Sequence, residues 1–255
     1  MERKGRIFGG KEAGGRFPFM VAIITKRTGS NFCGGVMITR QHVLTAAHCF
    51  DRRNWRDLDV RIGQYDLEED EEPGTEANIR NVKIHERYEP NGKNGRISPV
   101  NDIAIITLDR IVTSRKVTMI CLPSTSRDVT RLKDKPLAAG WGVSRRTRQG
   151  KAETKLRFAT LDVFRHDQCR QKYFKFLGDG IEINDSMVCA GSDVTDTCRG
   201  DSGGPLMYNT NWTQYRWEIY GLVSFGPTIC ANPDYPGVFT RVDKHLDWIK
   251  RNTKN

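Results

Sequence analysis

Short runs of Val, Ile and Leu recur along this chain, each closed within a few residues by Gly, Asn, Asp or Pro. They are Met20–Thr25, Gly35–Ile38, Val60–Ile62, Ile103–Leu108, Pro136–Ala139, Leu156–Val163, Glu218–Ser224 and Gly237–Arg241. Many short apolar runs with frequent turn residues predict an all-β sandwich or barrel. Near the end, Val242, Leu246 and Ile249 recur at i, i+4 and i+7, which predicts a terminal amphipathic helix over about 242–251. A length of 255 residues allows one or two domains, and 37% hydrophobic with 28% charged residues fits a soluble globular protein. Phe19 to Ile24, the longest apolar run, is too short to span a bilayer. Met1-Glu-Arg-Lys4 has no apolar stretch behind it, so no signal peptide is expected, and a secreted form would have lost its leader.

Three local patterns carry chemistry. Asp196-Thr-Cys-Arg-Gly-Asp-Ser202-Gly-Gly-Pro205 places a serine in a glycine-rich turn, where backbone N–H groups can face an oxyanion unobstructed. Alone, Gly-Asp-Ser-Gly is also an ordinary polar surface turn. Upstream stand Thr45-Ala-Ala-His48-Cys49 and, between the two, Asn101-Asp102-Ile103-Ala104. A serine hydroxyl is a weak nucleophile until a base takes its proton, and an imidazole does so near neutral pH. The remaining histidines, His42, His85, His166 and His245, have no such setting and are assigned to surface or packing roles.

These motifs resemble those of the chymotrypsin/trypsin family of serine endopeptidases, most like the catalytic domains of arthropod clip-domain cascade proteases. The resemblance runs from Ile7-Phe-Gly-Gly10 to Asp247-Trp-Ile249. It implies an all-β fold of two packed antiparallel six-stranded β-barrels with a C-terminal α-helix. Residues 1–6 would be the remnant of an activation peptide and 7–255 the protease domain, with barrel 1 at about 20–120 and barrel 2 at about 135–241. The polar stretch Ser124–Lys135 would be the crossover, and the active site would lie in the cleft between the barrels. His48 would be the general base, Asp102 the carboxylate orienting it, and Ser202 the nucleophile. The N–H groups of Gly200 and Ser202 would form the oxyanion hole, where losing one donor typically costs roughly 3–4 kcal/mol of transition-state stabilisation.

Asp196, by the same resemblance, lies at the base of the primary pocket and selects Arg or Lys. Gly226 and Gly237 would keep that pocket open, Thr197 would offer it a hydroxyl, and Ser224 would support the buried aspartate. The segment Ser224-Phe225-Gly226 would pair with an extended substrate as an added strand. Arg199, beside the oxyanion turn, is expected to disfavour basic residues just after the cut bond. Gly5-Arg6 before Ile7 resembles an activation junction, although Phe8 replaces the commoner valine. Cleavage after Arg6 by an upstream trypsin-like protease would free the Ile7 amine to pair with Asp201.

Seven cysteines leave the pairing open on counting alone. The resemblance implies Cys33–Cys49, Cys169–Cys189 and Cys198–Cys230, and an interchain bond from Cys121 to a light chain. Asn184-Asp-Ser186 and Asn211-Trp-Thr213 are glycosylation acceptors by pattern, which fits a secreted, extracellular protein. Some members of the family bind Ca²⁺ in the loop corresponding to Gln64–Glu76. Here Gln64 replaces a usual glutamate, while Glu68, Glu69, Asp70, Glu71, Glu72 and Glu76 supply oxygens, so the readings are a Ca²⁺ site or no cofactor. Pro236 stands where sodium-activated members have tyrosine, so no sodium effect is expected.

The net charge of +10 gathers at Arg52, Arg53 and Arg56, and at Arg145, Arg146, Arg148, Lys151, Lys155 and Arg157. These clusters are either solvated surface or an exosite for a polyanion or an acidic protein patch. No nucleic-acid reading motif accompanies them. The expected function is Arg/Lys-specific cleavage of another zymogen in a clotting or immune cascade, with a serpin as inhibitor. The rival is a protease-like protein that binds polyanions or lipopolysaccharide without peptidase activity.

Overall fold

The computed structural model describes residues 10–69, 76–91, 98–124, 134–143, 153–192, 195–211, 213–227, 230–232 and 234–254. The first half supplies β2 (Met20–Thr25), β3 (Asn31–Met37), β4 (His42–Thr45), β5 (Leu58–Ile62), β6 (Glu76–Ile84) and β7 (Ala104–Leu108). They pair in the order β2-β3-β4-β7-β6-β5 and close into a barrel. The Met20–Thr25 run is buried almost throughout, whereas Leu58–Ile62 alternates buried and half-buried residues, as a strand with one face on the core must.

The second half supplies β8 (Leu137–Gly140), β9 (Arg157–Thr160), β10 (Asp162–Phe164), β11 (Met187–Gly191), β12 (Pro205–Asn211), β13 (Arg216–Phe225) and β14 (Gly237–Arg241). With β1 (Lys11–Glu12) they form an eight-stranded sheet in the order β1-β9-β8-β12-β13-β14-β11-β10. The terminal strand β1 thus stitches the N-terminus to the second half, through Lys11 opposite Phe158. The main hydrophobic core crosses both halves: Phe17 meets Phe158 at 5.5 Å and Trp217 at 5.1 Å between ring centroids, both edge-on. Edge-to-face aromatic pairs of this kind add roughly 0.5–1.5 kcal/mol each beyond the area they bury, which ties the two halves together.

A helix that periodicity did not reveal, α1 (His166–Leu177), buries Cys169 and Tyr173 one turn apart. Gln168 Oε1 accepts the Arg165 N–H at its start, and Gly178 ends it at φ +54°. The terminal segment opens as a tight turn over Val242–His245 and continues as α2 (Leu246–Asn252), with Trp248 and Ile249 buried. No helix among the described residues is long and apolar enough to cross a membrane.

Candidate active site

His48 sits on a single tight turn, Ala47–Phe50, that leaves β4. A disulfide from Cys49 to Cys33 anchors the turn to β3. It spans a separation of 16 residues, a loop size for which a cross-link stabilises by roughly 3 kcal/mol. Asp102 precedes β7 and is only 1% exposed. One of its carboxylate oxygens lies 2.7 Å from His48 Nδ1, and the other accepts the His48 backbone N–H at 2.9 Å. Ser224 Oγ donates to the same carboxylate at 2.5 Å. An ionised carboxylate only accepts, so Nδ1 carries the proton and Nε2 is left with its lone pair free. Burial opposes charge on His48, but the Asp102 charge and hydrogen bond outweigh it, and the imidazole pKa is raised. Burial likewise penalises the Asp102 anion; His48 and Ser224 more than offset this and lower its pKa.

Ser202 enters from the second half, just before β12. Its carbonyl accepts the Gly34 N–H at 2.7 Å, which docks the serine loop on β3 beside the Cys33–Cys49 bridge. The Ser202 hydroxyl has no hydrogen-bond partner among the described residues, including His48. Catalytic hydrogen bonds often tighten only when substrate binds. Gly200 adopts φ +93°, a conformation that aims its N–H as an L side chain rarely can. The loop is braced by Val143 N–H donating to the Arg199 carbonyl at 2.7 Å.

Asp201 is wholly buried. Its carboxylate accepts N–H groups from Gly142 at 2.8 Å and Cys198 at 2.9 Å, and no cation pairs with it among the described residues. Burial pushes its pKa up to about 6. A Cβ on Gly142 would stand 2.5 Å from this carboxylate. Gly142→Ala should therefore displace Asp201, destabilising the fold by about 1–3 kcal/mol. Through Cys198, Asp201 also braces the turn expected to form the oxyanion hole, so kcat/KM should fall by a larger factor than the drop in urea midpoint implies. Equal and small changes in both would show that the carboxylate can move freely.

Asp196 is 2% exposed and accepts N–H groups from Thr197 and from Ala231 at 3.0 Å. Burial pushes its pKa up to about 7, and no cation pairs with it among the described residues. Gly237 lies against it (a Cβ there would be 3.3 Å from the carboxylate) and Gly226 faces Gly237. A bridge from Cys198 to Cys230 ties the serine loop to the segment of Ala231. Thr197 and Ser224 are buried beside it, while Phe225 packs on Tyr173 at 6.1 Å. Cys169 joins Cys189 and secures α1 to β11.

An acid-oriented imidazole, a serine at a glycine turn and a recessed carboxylate define a serine-hydrolase type of site. The chain belongs to the trypsin family, whose model matches residues 7–249, and it is a trypsin-like serine endopeptidase. It is 34% identical to phenoloxidase-activating factor 3 of Holotrichia diomphalia, over 98% of this chain and 73% of the relative. It is 36% identical to the proclotting enzyme of Tachypleus tridentatus, over 96% and 65%. CLIP domain-containing serine protease B4 of Anopheles gambiae is 34% identical over 97% and 70%. The chain thus spans from about two thirds to three quarters of the length of these relatives.

Residues 6 and 7 of the expected activation junction lie outside the described residues, as do Arg145, Arg146, Arg148 and Lys151. Of the two described members of that cluster, Lys155 is exposed and Arg157 is not. Lys155 stands 3.9 Å from Asp66, and Arg157 is buried, donating to Glu12 at 3.2 Å and to the Gly10 carbonyl at 3.1 Å. In the Gln64–Glu76 loop, positions 70–75 lie outside the described residues. Arg61 pairs with Glu76 at 2.8 Å and donates to the Leu67 carbonyl. Asp70, Glu71 and Glu72, on which the calcium expectation draws, lie among the positions outside the described residues.

Sequence reasoning missed several supports of Asp102. Thr240 Oγ donates to its carbonyl at 3.0 Å. Asn101, at φ +52°, is held by donation to the Arg87 carbonyl and by contact with His245 Nε2 at 3.1 Å. His245 is thus a buried prop of the site, and only the Asn-Asp pair hinted at a constrained turn. Asn184 and Asn211 each accept a hydrogen bond from the hydroxyl two residues on.

Proposed function

We propose that this chain is an activatable endopeptidase that cuts after Arg or Lys and acts on another zymogen in an extracellular clotting or immune cascade. The observation that carries this reading is a pair of buried carboxylates, Asp196 and Asp201, neither with a cation among the described residues. Burying an uncompensated carboxylate is costly, and a cation relieves the cost. Asp196, lying against Gly237 and hydrogen-bonded to Thr197 and Ala231, suits the guanidinium or ammonium group of a substrate. Asp201 lies behind the oxyanion loop and suits the amine of Ile7 once Arg6–Ile7 is cut. The cascade role draws on the relatives, whose names speak of proclotting and phenoloxidase activation.

On this reading the site works by general-base catalysis. A lysine or arginine side chain enters above Asp196 and brings its carbonyl to Ser202. His48 Nε2 takes the hydroxyl proton as Oγ attacks, and Asp102 stabilises the imidazolium that results. The Gly200 and Ser202 N–H groups receive the oxyanion. His48 then protonates the leaving amine, and water releases the acyl group by the same route in reverse.

Cys121 is the free cysteine among the described residues. It is half-buried in a groove of about 1040 Å³ beside Phe17, Met119 and Trp217. A disulfide from Cys121 to a light chain, glycans on Asn184 and Asn211, and inhibition by a serpin belong to the same reading.

Activity on a fluorogenic arginine peptide tests it directly. The uncut chain should be nearly inactive, cleavage after Arg6 should switch it on, and carbamylating the new Ile7 amine should switch it off. An Asp201→Asn variant that activates normally would rule out the switch, and failure of Ser202 to react with an organophosphate would rule out the enzyme.

A further inference from the structure

We propose that a basic cleft beside His48 binds acidic side chains in the substrate segment that follows the cut bond. This rests on the proteolytic reading above and adds a second specificity element to it.

The cleft, about 510 Å³, lies between the turn after β2 and the turn that follows His48, with Lys26, Arg27, Arg52, Arg53 and Asp57 on its walls. Its position comes from the His48 turn itself. Asp51 N–H donates to the His48 carbonyl at 3.1 Å and Arg53 N–H to the Phe50 carbonyl at 3.2 Å, so the arginines leave directly from the base. The Arg53 guanidinium lies 4.3 Å from the centre of the Phe32 ring, and Phe32 adjoins the Cys33–Cys49 bridge. Arg56 turns elsewhere, onto Trp55 at 4.5 Å. Of the three arginines in this run, two therefore face the cleft.

Direction follows from chain geometry. A peptide whose basic side chain occupies the Asp196 pocket lies on the second sheet, near Gly226 and Gly237. Its carbonyl meets Ser202, which is docked on Gly34 of the first barrel. Residues after the cut bond must then leave across the first barrel, past Phe32 toward Arg53. Lys26 is partly neutralised by Asp59 at 3.4 Å, and Asp57 offsets one further charge. Arg27, Arg52 and Arg53 are exposed and have no carboxylate partner among the described residues. Like charges around a concave surface focus their field, and a guanidinium resting on an aromatic face still presents its edge to a carboxylate.

Internally quenched peptides with one Arg, followed at the second to fourth positions by Glu or by Gln, test this with the activated enzyme. The Glu series should have a kcat/KM about tenfold higher at low salt, from two or three exposed ion pairs, and the advantage should fade at high salt. Arg27→Glu with Arg53→Glu should reverse the preference toward Lys at those positions, which a merely structural role would not do. The ratio within each variant corrects for any loss of folded enzyme. Binding of the same peptides to a Ser202→Ala variant, by fluorescence anisotropy, should follow the same order without turnover. A small arginine anilide, which has nothing beyond the leaving group, separates the two readings. If it is not cut, the protease reading fails; if it is cut but Glu and Gln peptides perform alike, the acidic-segment proposal alone is overturned. The proposal is also overturned if the double variant loses binding to a sulfated polysaccharide while no acidic peptide is preferred.

Discussion

Asp102→Asn is expected to lower kcat by about 10⁴-fold while KM for an arginine peptide changes little, the magnitude that loss of this carboxylate has in the Ser-His-Asp template. The structure supplies the reason. His48 Nδ1 is 2.7 Å from a carboxylate oxygen that also accepts from Ser224, and the other oxygen takes the His48 backbone N–H. An amide can keep only part of this pattern. If its oxygen accepts from the backbone, its NH₂ faces Nδ1 and forces the proton onto Nε2, where the base must be free. The charge that raises the imidazole pKa against the effect of burial is lost as well. The remaining activity should therefore persist to lower pH than in the parent, because the neutral imidazole survives there. A pH profile of kcat, with the fold checked by near-UV circular dichroism, decides it. A tenfold loss or less would mean that Asp102 is only packing.

Asp196→Ser should lower kcat/KM for arginine peptides by about 10³-fold, since removing one partner of a buried ion pair typically costs 3–5 kcal/mol. Peptides with small or apolar residues at the cut should lose far less. Burial holds the Asp196 pKa up to about 7. Below that pH the pocket acid is neutral in the empty enzyme, so affinity for a guanidinium or amidinium ligand should weaken as pH falls. Near neutrality, binding should expel a proton from the parent and none from the variant, which calorimetry in buffers of different ionisation enthalpy can measure. The stability effect has the opposite sense to that of an ion-paired acid. A carboxylate whose pKa is higher folded than unfolded is destabilising once ionised, and stability falls as pH rises from about 4 through about 7. Asp196→Ser should remove that loss, giving a higher Tm than the parent at pH 8 but not at pH 4. Retained arginine selectivity in the variant would place the specificity elsewhere.

How legible the molecule is from its residues varied with what shapes each part. Met20–Thr25 is a strand in both readings because an unbroken apolar run buried on both faces has little alternative. By contrast β6, Glu-Ala-Asn-Ile-Arg-Asn-Val-Lys-Ile, is mostly polar and depends on its neighbours β5 and β7 for its hydrogen bonds. β12 begins at a proline and ends in Asn-Thr-Asn, yet pairs with β8 and β13. α1 was hidden because its buried edge is carried by Cys169 and Tyr173, while Phe174 and Leu177 are apolar but exposed and blur the helical period. Lys155 and Arg157 look alike along the chain, but the fold leaves Lys155 exposed near Asp66 and buries Arg157 against Glu12.

The residue types around His48, Asp102 and Ser202 were evident from the chain alone, because each sits in a tight turn that only a few neighbours can build. Nothing local could bring together groups 54 residues apart, as His48 and Asp102 are, or dock the Ser202 carbonyl on Gly34. That was settled by a barrel and a sheet sharing one apolar core. The same packing determined which charges were stripped of water, and so turned Asp196 and Asp201 from two acids in a loop into buried anions in want of a cation.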